Sequence, residues 1–180
     1  MMKRSVIFGL AVIVGLGRPL AAQLPGVPHL KQLSVGPTTP ADSLDLAIVI
    51  FRAAVARGTY TAHPAPLPRL VCLGHRREET VDPPAAVLAA LQEIDTLRVR
   101  PISACRPEPA PRRTPIMTDT LTGQRGISVW ASEPRFTGNG MFEVQLEYYE
   151  HERAAMVWKC TGRKRDGTWE VVACTWTMAA

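Results

Sequence analysis

From Gly126 onward, hydrophobic and polar residues alternate with a period of two. Ile127, Val129 and Ala131 alternate with Ser128, Trp130 and Ser132. After the turn residues Thr137-Gly138-Asn139-Gly140, Phe142, Val144, Leu146 and Tyr148 alternate with Glu143, Gln145, Glu147 and Tyr149. Ala155 to Thr161 and Thr168 to Met178 continue the series around a charged turn at Arg163 to Gly167. Such alternation predicts four consecutive strands with one buried and one wet face, an antiparallel meander.

The first half of the chain carries a helical period. Thr39-Pro40-Ala41-Asp42 combines a capping hydroxyl, proline at the first helical position and an acid three residues after the cap. Leu44, Ile48, Phe51 and Val55 then recur along one face, with Leu46, Val49 and Ile50 widening the apolar arc, and Gly58 is the predicted stop. Arg69 to Leu73 reads as a short strand with little polar alternation. Asp82-Pro83 starts a second helix to about Glu93, with Val87, Leu88, Leu91 and Ile94 inward. Leu97 to Arg100 alternates as a strand stopped at Pro101. Arg106 to Pro115 holds four prolines, which predicts an exposed irregular loop. The expected fold class is α+β: an antiparallel meander sheet covered by two N-terminal amphipathic helices.

Residues 1–22 read as an export signal. Lys3 and Arg4 precede an apolar stretch of about a dozen residues, and Leu20-Ala21-Ala22 supplies a small residue just before a cut that leaves the mature chain beginning near Gln23, although Leu20 is larger than the usual residue three places before such a cut. A permanent span needs roughly 20 apolar residues, and this run is broken by Gly9, Gly15, Gly17, Arg18 and Pro19. No cysteine follows it to take a lipid. Residues 23–39, with Pro25, Pro28 and Pro37, form an extended leader, and 40–180 a single domain. Lys3, Arg4 and Arg18 account for three of the formal net charge of +5, so the exported chain carries +2. The remaining basic residues cluster as Arg76-Arg77, Arg112-Arg113 and Arg163-Lys164-Arg165, without aromatic interleaving, which argues against a nucleic-acid partner. Arginine over lysine, and a single asparagine, fit a high-GC bacterial genome.

Export changes the meaning of Cys72, Cys105, Cys160 and Cys174. They form an even set without metal-ligand spacing, so two structural disulfides are expected. Four cysteines allow three connectivities; nearness along the chain favours Cys72 with Cys105 and Cys160 with Cys174. Across a two-residue Asp166-Gly167 turn the second pair would point to opposite faces, so that bridge predicts a three-residue loop, Arg165 to Gly167.

The segment Ala155 to Met178, especially Arg165-Asp166-Gly167-Thr168-Trp169-Glu170-Val171-Val172, resembles the closing hairpin of nuclear transport factor 2-like and cystatin-like cone folds. The resemblance implies a curved sheet wrapped around helices. Such folds host enzymes, ligand pockets and assembly modules alike, so it implies architecture and not activity.

Candidate chemistry is sparse. His151-Glu152 opens like a zinc-protease motif, but Ala155 stands where the second histidine is required. Glu147, Glu150, Glu152 and His151 read as solvent-facing residues at a strand end, although they are the types that acid–base work uses. His29 and His63 sit beside prolines, and His75-Arg76-Arg77-Glu78-Glu79 reads as a self-neutralising loop. Ser103 and Ser128 have no base nearby in sequence, and no nucleophile elbow, phosphate-binding loop or dinucleotide fingerprint occurs. No catalytic, metal or cofactor residue is assigned. Trp130, Tyr149, Trp158, Trp169 and Trp176 fall on predicted strands, and some must be exposed or line a cavity. The leading reading is an exported, non-catalytic domain that binds a protein or small-molecule ligand through its curved sheet. The alternatives are a secreted hydrolase or isomerase with a pocket inside that sheet, using Glu147, His151 or a loop histidine, and a structural envelope protein.

Overall fold

The computed structural model describes residues 36–61, 69–75, 81–110, 113–151 and 154–179. The signal segment, most of the leader, His29, His63, the 76–79 charge cluster and Glu152 lie outside the described residues.

Helix α1 (Pro40–Thr61) begins as its cap predicts, with the Asp42 N–H donating to Thr39 Oγ1 at 3.1 Å. It does not stop at Gly58. That glycine is helical and pressed against the sheet; a Cβ there would lie 3.1 Å from Tyr148 and 3.2 Å from Val129, so its role is close approach rather than termination. The buried stripe is also rotated from the predicted one. Leu46, Ile50, Phe51, Ala54 and Val55 are wholly buried, whereas Leu44 and Ile48 are only partly covered. The helix packs on sheet and second helix together, and their junction selects the stripe.

Strand β1 (Arg69–His75) overturns the expected fold class. It lies between β2 (Leu97–Pro101) and β5 (Arg125–Ala131) and runs parallel to both, so the sheet is a nine-stranded mixed sheet and not an antiparallel meander covered by two helices. Helix α2 (Ala85–Gln92), buried through Val87 and Leu91, forms the crossover that a parallel β1–β2 pair requires. Leu70, Val71, Cys72 and Leu73 are all fully buried, which is why this strand reads as a continuous apolar run. Asp82 does not cap α2, whose first turn has no side-chain cap; its carboxylate instead accepts from the Ser103 N–H at 2.9 Å and the Ser103 hydroxyl at 2.6 Å.

The predicted irregular loop is also overturned. Residues Cys105–Ala110 (β3) and Arg113–Asp119 (β4) form an antiparallel hairpin, and β4 continues onto β5. Pro107 is tolerated because β3 pairs on one side only among the described residues, Pro109 falls at a register shift between Glu108 and Ala110, and Pro115 in β4 precedes the residues that pair with β5, Met117 and Thr118. A 3-10 turn at Ile102–Ala104 leads into this hairpin, which is anchored across the second face of the sheet by the Cys72–Cys105 disulfide, Cα–Cα 6.3 Å. Leu70, Cys72, Ile102 and Cys105, with Met117 and Trp130, make a small second core there. The main core lies on the helix face. Ser128, expected to be wet, is therefore buried, and its hydroxyl donates to the Tyr149 carbonyl at 3.2 Å.

Strands β6 (Arg135–Gly138), β7 (Met141–His151), β8 (Ala154–Arg165) and β9 (Thr168–Ala179) complete the sheet, with path order β2-β1-β5-β7-β8-β9. The β8–β9 turn keeps two residues, Asp166 at φ 50° and Gly167 at φ 82°, closed by the Arg165–Thr168 pair; the expected three-residue loop does not form. The extra residue that the bridge demands sits further along the strand. Thr161 pairs with Ala173 and Gly162 with Val171, which leaves Val172 as a bulge and sets Cys160 directly opposite Cys174.

Candidate functional site

The parallel neighbours β1 and β5 end side by side, with His75 in register with Ala131. Beyond their carboxyl ends the first half of α1 lies across the sheet and the chain turns through Ser132, Glu133 and Pro134 into β6. These elements leave a cleft of about 270 Å³. Leu46, Ala47, Ile50 and Phe51 form its helical wall, and Ala131, Pro134 and Phe136 the facing one. Space at the carboxyl ends of parallel strands is where open sheets leave room for ligands, because the strands diverge into different connections there.

The polar groups are few. The His75 Nδ1 lies 3.8 Å from Glu133 Oε1, with the imidazole one-fifth and the carboxylate just over half exposed. The Phe51 ring stands 6.2 Å from that imidazole and tilted to it, while the backbone N–H of His75 donates to the Val81 carbonyl at 2.8 Å. The imidazole is thus held between an aromatic wall and a carboxylate. Both serines of the cleft are occupied by backbone groups. Ser43 Oγ donates to the Thr39 carbonyl at 3.1 Å, and Ser132 Oγ donates to the Glu133 carbonyl and accepts the Gln145 N–H at 3.0 Å. Among the described residues the arrangement is an apolar recess with one imidazole and one carboxylate at its mouth and two hydroxyls bonded to backbone groups.

Beside the cleft, Asp42 fixes the start of α1 to the β8–β9 hairpin. Its Oδ1 accepts from Lys164 Nζ at 2.5 Å and from Trp169 Nε1 at 2.6 Å, and its Oδ2 from the Thr38 N–H at 3.0 Å. The Lys164 hydrogen bond, foremost, holds this carboxyl below the ordinary aspartate range, against the opposing effect of burial. Trp169 then packs edge-on to Phe142 and 6.0 Å from Phe136, which lines the cleft. On the opposite face, Asp119 is wholly buried and likewise held low, first by the Thr122 hydroxyl at 2.7 Å, with Arg100 at 3.5 Å adding charge. It organises the β4–β5 turn.

Of the residues that the sequence singled out for chemistry, Glu147 and Glu150 lie in the last part of β7 and neither lines the cleft; the side chain of His151, at the end of that strand, lies outside the described residues, as do His29, His63 and Glu152. Glu147 accepts from Gln145 Nε2 at 2.7 Å and Glu150 from the Tyr148 hydroxyl at 2.5 Å. Ser103 is bound by Asp82 and Ser128 by a backbone carbonyl. Of the aromatics, Trp158 and Trp169 are buried, Trp130 lies over Gly74, and Trp176 is 69% exposed. By sequence His75 belongs to a charged loop; the parallel pairing of its strand carries it to the cleft. Glu133 gave no signal at all, since its meaning comes from a contact 58 positions away in sequence.

Among the described residues there is no group of three or more His, Cys, Asp or Glu side chains able to hold a metal ion, and no helix long and apolar enough to cross a membrane. No family model matches the chain, and neither a curated protein nor a solved structure matches it.

Proposed function

We propose that this chain is an exported binding domain, periplasmic or secreted, that takes an apolar group of a small molecule or partner protein into the cleft between α1 and the ends of β1 and β5. The two disulfides support an oxidising, exported environment. The single observation that carries the binding reading is the cleft itself, an apolar recess whose polar side chains, among the described residues, are an imidazole, a carboxylate and two engaged hydroxyls.

The reading is tested with the apolar dye 8-anilinonaphthalene-1-sulfonate. The oxidised wild-type protein should bind it with enhanced fluorescence, and Ala47→Trp, which fills the recess from the helix side, should abolish binding while leaving the circular dichroism unchanged. Absence of dye binding to wild type, or undiminished binding to the folded variant, overturns the proposal.

A second reading, a secreted hydrolase or isomerase, is favoured by one observation only, the 3.8 Å approach of Glu133 to His75, which resembles a base and the group that orients it. It would rest on this pair and not on Glu147 or His151. That reading requires turnover that His75→Ala abolishes, whereas the binding reading requires that this variant alter affinity alone.

A further inference from the structure

A strand at the edge of a sheet presents unpaired N–H and C=O groups, and folded proteins guard such edges with brevity, charge, proline or bulges. Among the described residues three edges are guarded by the first three devices. Strand β2 has five residues, carries Arg98 and Arg100 and ends on Pro101. Strand β3 carries Pro107 and Pro109, and β6 has four residues. Strand β9 is different. It runs for 12 residues, among the described residues it pairs only with β8, and from Val171 to Ala179 it contains no charged residue, no proline and no glycine. Val172, Ala173, Thr175, Trp176 and Thr177 are exposed, the tryptophan by 69%. The strand's guards are the bulges at Val172 and Thr177, and the regular stretch between them, Ala173 to Trp176, has no partner strand but β8 among the described residues.

We propose that β9 is a self-association edge, at which two copies of this chain pair antiparallel across a two-fold axis near Cys174 to join their sheets. The occupant follows from complementarity. A strand docking here must bring a free edge of its own and must not bury a charge against the uncharged 171–179 run, and the β9 of a second copy meets both conditions. The two-fold near Cys174 also sets Val172 of one copy against Trp176 of the other, which withdraws the two large exposed hydrophobic residues of this strand from water. Pairing one short stretch per copy buries an area at the low end for specific interfaces, so a reversible dimer is expected rather than a permanent one.

Sedimentation velocity on the oxidised full chain, at concentrations up to about 0.5 mM, tests this, because a small interface assembles only when concentrated. Wild type should shift from monomer to dimer across the range. Ala173→Lys places a charge on the exposed edge opposite the uncharged Thr161, without touching the core, and should remain monomeric with unchanged circular dichroism and melting temperature. A wild-type protein that stays monomeric throughout overturns the proposal, as does a dimer that forms undiminished in the lysine variant. A monomer that instead captures an added uncharged β-strand peptide overturns it as well, and assigns the edge to a different partner.

Discussion

Asp42 holds groups from three parts of the chain: the Thr38 N–H, the Lys164 ammonium and the Trp169 indole. The sequence shows it only as an acid suited to a helix start, because Lys164 is 122 positions away. Its effect on stability has a definite sign. A carboxyl whose pKa is lower in the folded state stabilises fully above its unfolded value, and that stabilisation is lost as pH falls through the lower, folded value. Asp42→Asn should therefore melt below wild type at neutral pH, and the gap should close as the pH is taken below about 4. Thermal melts of both proteins from pH 7 to pH 2 check this; a gap that persists at the acid end would show that the ion pair is not its source. Asp119 is held low by the same kind of bonding, so wild type as a whole is expected to weaken in acid.

At the scale of elements, β1 and the β3–β4 hairpin depart furthest from the sequence reading, and for opposite reasons. The apolar run Leu70 to Leu73 is found correctly as a strand, but an isolated apolar strand does not say which way its neighbours run; only the α2 crossover makes β2 parallel to it. In the hairpin, proline propensity argues against a strand and tertiary context prevails, since an edge position forgives missing amides and Cys105 is bonded to the buried Cys72. That bridge closes 33 residues, for which loop-entropy reasoning gives a stabilisation of roughly 3 to 4 kcal/mol. Replacing Cys72 and Cys105 by serine should lower the melting temperature by roughly 10 °C for a domain of this size. Hydrogen exchange should show β3 and β4 losing protection before β7 and β8, and equal loss in all four would mean that the bridge does not act through the hairpin.

For the whole molecule, the sulfur chemistry follows from compartment. All four cysteines are bonded and none is free. Protein recovered after export and unfolded in denaturant should therefore contain no titratable thiol; a count of one or more would break the two-bridge framework and with it the argument for an oxidising destination. The cleft belongs to this scale too. Its walls come from α1, the ends of β1 and β5, and the start of β6, and no local pattern announces that these meet.

The elements whose signals are local are legible in the chain alone: the capped start of α1, the strands whose residues alternate, and an even set of four cysteines. The direction of β1, the hairpin built on prolines, the bulge that aligns Cys160 with Cys174, and the meeting of His75 with Glu133 arise only in the folded chain. Periodicity, caps and turns are written in neighbouring residues, whereas strand direction and side-chain convergence depend on which distant segments share a buried surface.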